Sequence, residues 1–209
     1  AWTYFTASTQ ATGTELWRTD GTVAGTMLVH DLNAGSGSSN PVSLTNVDGT
    51  LFFRANDGTN GTELWKTDGV TTTLVQDINP GAGNSYPSHL ININGTLFFS
   101  ADDGTNGREI WKSDGTTTSL VQDINPGAGH STPTALTNVN GTLYFSADDG
   151  TNGRELWKTD GTTTSLVQDI NPGANGSIPR YLTDVNGTLF FSAEDGTNGR
   201  ELWKTDGTT

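Results

Sequence analysis

Apolar positions come in short runs rich in β-formers, each bounded by turn residues, and the runs recur in a fixed order. In the stretch 134 to 171 there are four: run A from Thr134 to Asn140, run B from Thr142 to Asp148, run C from Arg154 to Thr159 and run D from Ser165 to Asn171. The segments between them carry turn chemistry. Asn140-Gly141 is the dipeptide preferred in two-residue type I′ hairpins, and Asp48-Gly49, Asn94-Gly95 and Asn186-Gly187 repeat it. Asp149-Gly150-Thr151-Asn152-Gly153 makes a longer connection from B to C, and Asp160-Gly161-Thr162 turns C into D. Asn171-Pro172-Gly173 ends run D, because proline cannot continue a strand ladder, and the chain crosses to the next unit. Each unit is therefore predicted to be a four-stranded antiparallel meander.

Both faces of such a sheet are apolar. Along run B of the third unit, Leu97 and Phe99 point one way and Phe98 the other, and in run C Ile110 and Trp111 are opposed in the same way. A sheet that is apolar on both sides must be sandwiched. Stacking successive units face to face achieves this, and sheet twist swings the stack around an axis, which predicts an all-β, β-propeller architecture with four-stranded antiparallel blades of about 46 residues. An open β-solenoid is the alternative. A parallel β-helix would need shorter coils, and a two-sheet sandwich would leave one polar face.

The copies are anchored by Trp17, Trp65, Trp111, Trp157 and Trp203, spaced 48, 46, 46 and 46 residues apart. Residues 1 to 7 occupy the place of 49 to 55 and of 95 to 101, so the chain enters partway through a unit. The runs then read B-C-D over 1–33, full repeats over about 41–79, 87–125 and 133–171, and A-B-C over 179–209, a single repeat domain. One further D and A segment, about 23 residues judged from 164 to 186, would close five blades; otherwise the units form an arc of a larger ring. The first residue is Ala1 with no methionine or signal-like segment, as expected of a processed product or of a window from a longer chain. Open half blades expose strand edges and invite self-association, so a homo-oligomer or a larger parent chain is expected.

Composition narrows the partners. Twenty-three acidic against 10 basic residues give a net charge of −13, which repels nucleic acid and anionic membrane surfaces, while keeping a Thr- and Gly-rich surface soluble. There is no cysteine, hence no disulfide. No apolar run approaches the roughly 18 residues needed for membrane insertion as a helix. The copies Glu15 to Thr22, Glu63 to Val70, Glu109 to Thr116, Glu155 to Thr162 and Glu201 to Thr208 resemble the ELWxxDGT repeat family of bacterial proteins, with Arg18, Ile110 and Val70 as small departures. That resemblance implies large, exported, extracellular or cell-surface repeat proteins with a propeller-like fold, mostly without an assigned activity, and it carries over no catalytic residues.

The recurring residues read as structure. The five tryptophans suit packing between blades, where burial is worth about 2–3 kcal/mol each. Asp31, Asp77, Asp123 and Asp169, at equivalent places in run D, are expected to be held by hydroxyls and amides of the next blade. Arg108, Arg154 and Arg200 superficially suggest a sialidase arginine cluster, but active sites break symmetry and these do not, which leaves a glycosidase as a remote alternative and no catalytic residues. Asp102, Asp103 and Asn106 and their copies gather oxygen donors that suit calcium; EF-hand spacing is absent, and Asx-rich hairpin loops form equally well without metal.

Variation points to one surface. Between 95–140 and 141–186 nine of 46 places differ, and six of them lie from Gly129 to Asn138, in the D to A crossover and the start of run A. In an up-and-down blade the D to A and B to C connections emerge on the same side. Asn84, Tyr86, His89, His130, Arg180 and Tyr181 are the distinctive side chains there and the candidate ligand-binding residues. The expectation is a non-enzymatic binding or adhesion module without a cofactor, calcium aside, that displays these loops to a glycan or a protein. The alternative is a self-assembling structural protein that pairs through its open half blades.

Overall fold

A computed structural model describes residues 1 to 207; Thr208 and Thr209, which end the fifth copy and its predicted unit, lie outside the described residues. Among the described residues eighteen strands form five antiparallel sheets. Sheet 1 holds β1 (Thr3–Thr9), β2 (Gly13–Thr19) and β3 (Met27–His30). Sheet 2 holds β4 (Val42–Val47), β5 (Thr50–Asn56), β6 (Thr62–Thr67) and β7 (Thr72–Gln76). Sheet 3 holds β8 (Ser88–Ile93), β9 (Thr96–Asp102), β10 (Arg108–Ser113) and β11 (Thr118–Gln122). Sheet 4 holds β12 (Thr134–Val139), β13 (Thr142–Asp148), β14 (Arg154–Thr159) and β15 (Thr164–Gln168). Sheet 5 holds β16 (Arg180–Val185), β17 (Thr188–Glu194) and β18 (Arg200–Thr205). The B-C-D, three A-B-C-D, A-B-C order is as the sequence predicts.

Local chemistry sets these boundaries. Asp48, Asn94, Asn140 and Asn186 take φ of 48° to 52° and the glycines after them are also left-handed, as a type I′ hairpin requires. Two features depart from expectation. The fourth strand stops at Gln76, Gln122 and Gln168 because the next amides, such as Ile78 N–H, are taken by a glutamate instead of a neighbouring strand. The first strand of sheets 2 to 5 carries a bulge, with Ser43, His89, Ala135 or Tyr181 at φ of 56° to 58° and a register shift around it.

The core lies between sheets. Val47, Phe52, Leu64 and Ile78 of sheet 2 pack on Leu97, Phe99, Ala101 and Trp111 of sheet 3. The next layer is Ile93, Phe98, Ile110 and Ile124 against Leu143, Phe145, Ala147 and Trp157. Phe98 and Phe99, neighbours in sequence, thus enter different layers, as do Ile110 and Trp111. Trp65, Trp111, Trp157 and Trp203 pack back on the preceding sheet, and a fully buried Phe or Leu in such a layer contributes about 1.5–3 kcal/mol. Lysines add a second tie: Lys66 Nζ donates to Gly115 O at 2.5 Å, Lys112 Nζ to Gly161 O at 2.6 Å and Lys158 Nζ to Gly207 O at 2.5 Å, each reaching the Asp-Gly-Thr turn of the next sheet.

The end sheets each keep one open face. On sheet 5, Leu202 is 77% exposed and Val185 47%, whereas their counterparts Leu156 and Val139 are buried. On sheet 1, Phe5 and Trp17 are half-buried where Phe53 and Trp65 are buried.

Candidate functional site: the crossover face

The glutamate that precedes the Leu-Trp or Ile-Trp pair in sheets 1 to 4 is the central fixture of this face. Glu15, Glu63, Glu109 and Glu155 are fully buried. Glu63 accepts Ser85 N–H at 2.8 Å, Ser85 O–H at 2.5 Å and Ile78 N–H at 3.1 Å, so one carboxylate holds both ends of the crossover from sheet 2 to sheet 3. Glu109 does the same with Ser131 and Ile124, and Glu155 with Ser177 and Ile170. Glu15 holds Ser39 and Leu32. Burial pushes the Glu63, Glu109 and Glu155 carboxyls above their ordinary value, and the serine and main-chain donors oppose it only in part. Sequence reasoning missed these residues. The available signal was the paired recurrence of Glu and of the serine two places before Pro41, Pro87, Pro133 and Pro179.

The predicted aspartates are held differently from expectation. Asp31, Asp77 and Asp123 each accept an amide four residues on, from Gly35, Gly81 and Gly127, within their own crossover and not from the next blade. The other carboxylate oxygen of Asp31, Asp77, Asp123 and Asp169 is buried without a hydrogen-bond partner among the described residues. The indole N–H groups of Trp17, Trp65, Trp111 and Trp157 are likewise unpartnered, while Trp203 donates to Ala193 O at 3.2 Å.

The B to C loops fold on themselves. Asp103 Oδ1 accepts Thr105 N–H at 2.9 Å and Asn106 N–H at 2.7 Å, Oδ2 accepts the Asn106 amide at 2.7 Å, and Asp102 Oδ1 accepts Gly104 N–H at 2.8 Å. The calcium candidates Asp102, Asp103 and Asn106 are thus already engaged with one another's loop, and among the described residues no group of three or more His, Cys, Asp or Glu is placed to hold a metal. These loops do meet the crossovers as expected: a side chain at Gly107 would run into the carbonyl oxygen of Gly129.

Of the six candidate ligand residues, two have side chains used in the fold. Asn84 Oδ1 accepts Thr62 N–H at 2.8 Å and His130 Nδ1 accepts Arg108 N–H at 2.8 Å, the place Ser38 Oγ fills for Thr14. Tyr86 is 49% exposed and Tyr181 79%, both at left-handed backbone positions, and His89 and Arg180 are exposed beside them in chain. Partial desolvation, then the charge of Arg108, holds His89 below the ordinary histidine value. Tyr86 and His89 therefore share a patch with Arg108, whereas Arg180 and Tyr181 stand on a separate crossover.

Arg108, Arg154 and Arg200 are tethers. Arg108 donates to Tyr86 O at 3.0 Å and Ser85 O at 3.2 Å, Arg154 to Thr132 O at 3.0 Å and Arg200 to Ile178 O at 3.0 Å. Sheet 2 breaks the pattern, with Thr62 in the arginine's place, and there a polar cavity of about 310 Å³ opens between Asn33, Asn40, Arg54, Asn56, Thr62 and Tyr86. Recesses at the opposite end of the sheets recur beside Lys66, Lys112 and Lys158 and so belong to the repeat.

No protein-family model and no curated protein matches the sequence. Solved structures do resemble the fold. A puromycin hydrolase is 13% identical over 98% of this chain and 34% of its own, with a TM-score of 0.56. A puromycin-hydrolyzing peptidase of Mycobacterium tuberculosis is 13% identical over 100% and 34%, with a TM-score of 0.54. The chain spans about a third of the length of these proteins, and the likeness shows the β-propeller fold alone.

Proposed function

We propose that this chain is a non-catalytic binding module of the ELWxxDGT kind, carried by an exported or cell-surface protein, which presents its crossover face to a glycan. One observation carries the proposal. The crossovers are held by the same carboxylate at the same main-chain groups in each unit, while their side chains differ and include the exposed aromatics Tyr86 and Tyr181. A rigid frame with variable, aromatic-bearing loops is the arrangement that recognition sites use. The recurring carboxylates and guanidinium groups are consumed in main-chain bonds, which leaves them poorly suited to acid–base work.

A glycan array, followed by titration of the best hit against Tyr86→Ala and Tyr181→Ala variants, tests it. Binding weakened by either variant supports the crossover face. No hit, or hits indifferent to both tyrosines, refutes the lectin form, and a protein captured at the same face would replace glycan as the ligand.

The uncovered end faces favour a second reading, assembly through the open half blades. Sheet 5 exposes Val185 and Leu202, the kind of surface that elsewhere packs on a Phe, Ala and Trp face, and sheet 1 leaves Phe5 and Trp17 half-buried. Native mass across a concentration series separates the two, since a species that stays monomeric at every concentration removes assembly.

A further inference from the structure

The cavity in sheet 2 lies where the pattern of sheets 3 to 5 is broken in two residues at once. Arg108, Arg154 and Arg200 begin the third strand of sheets 3, 4 and 5, and Ser100, Ser146 and Ser192 face them from the second strand. Sheet 2 has Thr62 and Arg54 at those two places, and sheet 1 has Thr14 and Thr6. The two positions are diagonal neighbours on one face: Arg54 pairs with Leu64 and Asn56 with Thr62. A guanidinium carried on either strand therefore enters the same space, and in sheet 3 Arg108 lies 3.4 Å from Ser100 Oγ.

The exchange is not neutral. In sheets 3 to 5 the guanidinium is tied to crossover carbonyls, including Ser85 O, Ser131 O and Ile178 O. The Arg54 guanidinium, half-buried, has no hydrogen bond or ion pair among the described residues, and the volume that an arginine at 62 would fill is the open cavity. It also lies near a second cation. Burial chiefly pulls Arg108 below its ordinary value, Asp102 opposes this, and the charge of Arg54 adds to it. Of the two guanidinium groups, Arg108 is tied to crossover carbonyls and feels the charge of Asp102, whereas Arg54 has no carboxylate partner among the described residues. Asp57, the acidic residue of the adjoining loop, is turned inward onto Thr59 and Asn60.

The rim supplies the rest. Tyr86 is half exposed over the opening, and its amide is fixed to Thr62 O at 3.1 Å. Asn33 and Asn40 bring amide groups from the crossover between sheets 1 and 2, each spending one N–H on Ser38 O, at 3.2 and 3.4 Å, and keeping a second N–H for a ligand, and the crossover is seated on the site by Asn56 N–H donating to Ser39 O at 2.9 Å. A planar fork for a carboxylate, an aromatic face and several amides that can both donate and accept are the set that a charged sugar engages.

We propose that this cavity is a subsite for a carboxylate-bearing sugar, with Arg54 pairing the carboxylate, Tyr86 stacking on the ring and the asparagine amides taking hydroxyls. It deepens the glycan reading and rests on the crossover face being the ligand face. Glucuronic acid and short oligouronates are the probes, glucose oligomers of the same length the neutral control, and acetate and sulfate the free-anion controls. The informative variant is Arg54→Ser with Thr62→Arg, which gives sheet 2 the pair that sheets 3 to 5 already fold with, so the fold is kept while the fork is tied back and the cavity filled. Uronate binding is expected to fall about 10- to 100-fold in this variant, the range for one lost charge-assisted pair. It is also expected to exceed neutral-sugar binding in the natural chain by a similar factor.

The subsite is overturned if the natural chain does not bind uronates at millimolar concentration, if acetate or sulfate competes as well as the sugar acid, or if the double variant binds uronate unchanged. In each of those cases a glycan still bound in a Tyr181-dependent way would leave the broader lectin reading standing, which separates the two failures. Thermal melting of the double variant within a few degrees of the natural chain confirms that the comparison is between folded proteins.

Discussion

Replacing Glu109 by alanine is the most direct test of how the crossovers are held. The carboxylate accepts Ser131 N–H at 2.8 Å, Ser131 O–H at 2.5 Å and Ile124 N–H at 3.1 Å, all in buried surroundings. The hydroxyl has a second acceptor in Arg108 O at 3.3 Å and can turn to it. The two amides have no other acceptor among the described residues, and a buried orphan donor costs about 1–3 kcal/mol, giving about 2–6 kcal/mol for the pair. Part of this is returned, because burial pushes the Glu109 carboxyl above its ordinary value and the charge is itself unfavourably placed. A net loss of about 2–4 kcal/mol follows, or roughly 5–15 °C in melting temperature for a chain of this size. The same substitution at Glu201 is the internal control. That glutamate is exposed and no crossover is bonded to it among the described residues, so its change should stay within about 0.5 kcal/mol. Urea unfolding measures both, and hydrogen exchange at the Ser131 and Ile124 amides reports whether the loss is local. Equal effects at positions 109 and 201, or undiminished protection of those two amides in Glu109→Ala, would refute the reasoning.

Three further outcomes are expected. Stability should rise as pH is lowered from 7 towards 4.5 and fall again below 3.8, read from urea midpoints across that range. The sign follows from two opposed sets. Glu63, Glu109 and Glu155 are raised from 4.5, so the stability they give on protonation is complete below that value and is lost as pH climbs through their folded-state values. Asp57, Asp103 and Asp149 are pushed up by burial but held below 3.8 overall by main-chain and asparagine donors, so their contribution is present above 3.8 and lost as pH falls through the lowered values. A steady rise from pH 4.5 to 7 would contradict the glutamate sign. Leu156→Ala should cost about 2–5 kcal/mol and Leu202→Ala less than 0.5, because the first is fully buried and the second largely exposed; comparable losses would mean that the sheet 5 face is covered in solution. Lys112→Met should cost about 1–2 kcal/mol through the lost bond to Gly161 O, and Lys204→Met, exposed with no such bond among the described residues, should be silent in the same melt.

What could be read from the sequence is what local chemistry dictates. The Asn140-Gly141 hairpin, the bounds Thr142–Asp148 and Arg154–Thr159, and the opposition of Phe98 to Phe99 all follow from turn preference and side-chain alternation. Glu109 did not, because its partners lie 15 and 22 residues downstream and a glutamate in an Arg- and Lys-bearing strand looks solvated. The bulges at Ala135 and Tyr181 were hidden for a related reason: neither residue favours positive φ, and only the closing of the crossover onto the sheet imposes it. Variation between copies marked side chains of two kinds. Tyr86 and Tyr181 are displayed as that variation implied, whereas Asn84 and His130 vary because an amide, an imidazole and a hydroxyl can each cap the same N–H. Arg54 became meaningful only when its space was seen to be the one left empty by Thr62.

The buried carboxylate touches a crossover only through two amides and one serine hydroxyl, and every residue type but proline offers such amides. Side chains between those clamped points that are not themselves bonded to the loop, such as Tyr86, can therefore be rewritten without renegotiating how the loop leaves one sheet and enters the next. Among the described residues the four clamped crossovers make a rack of related sockets, in which surface chemistry can drift one loop at a time while the stack beneath it stays in register.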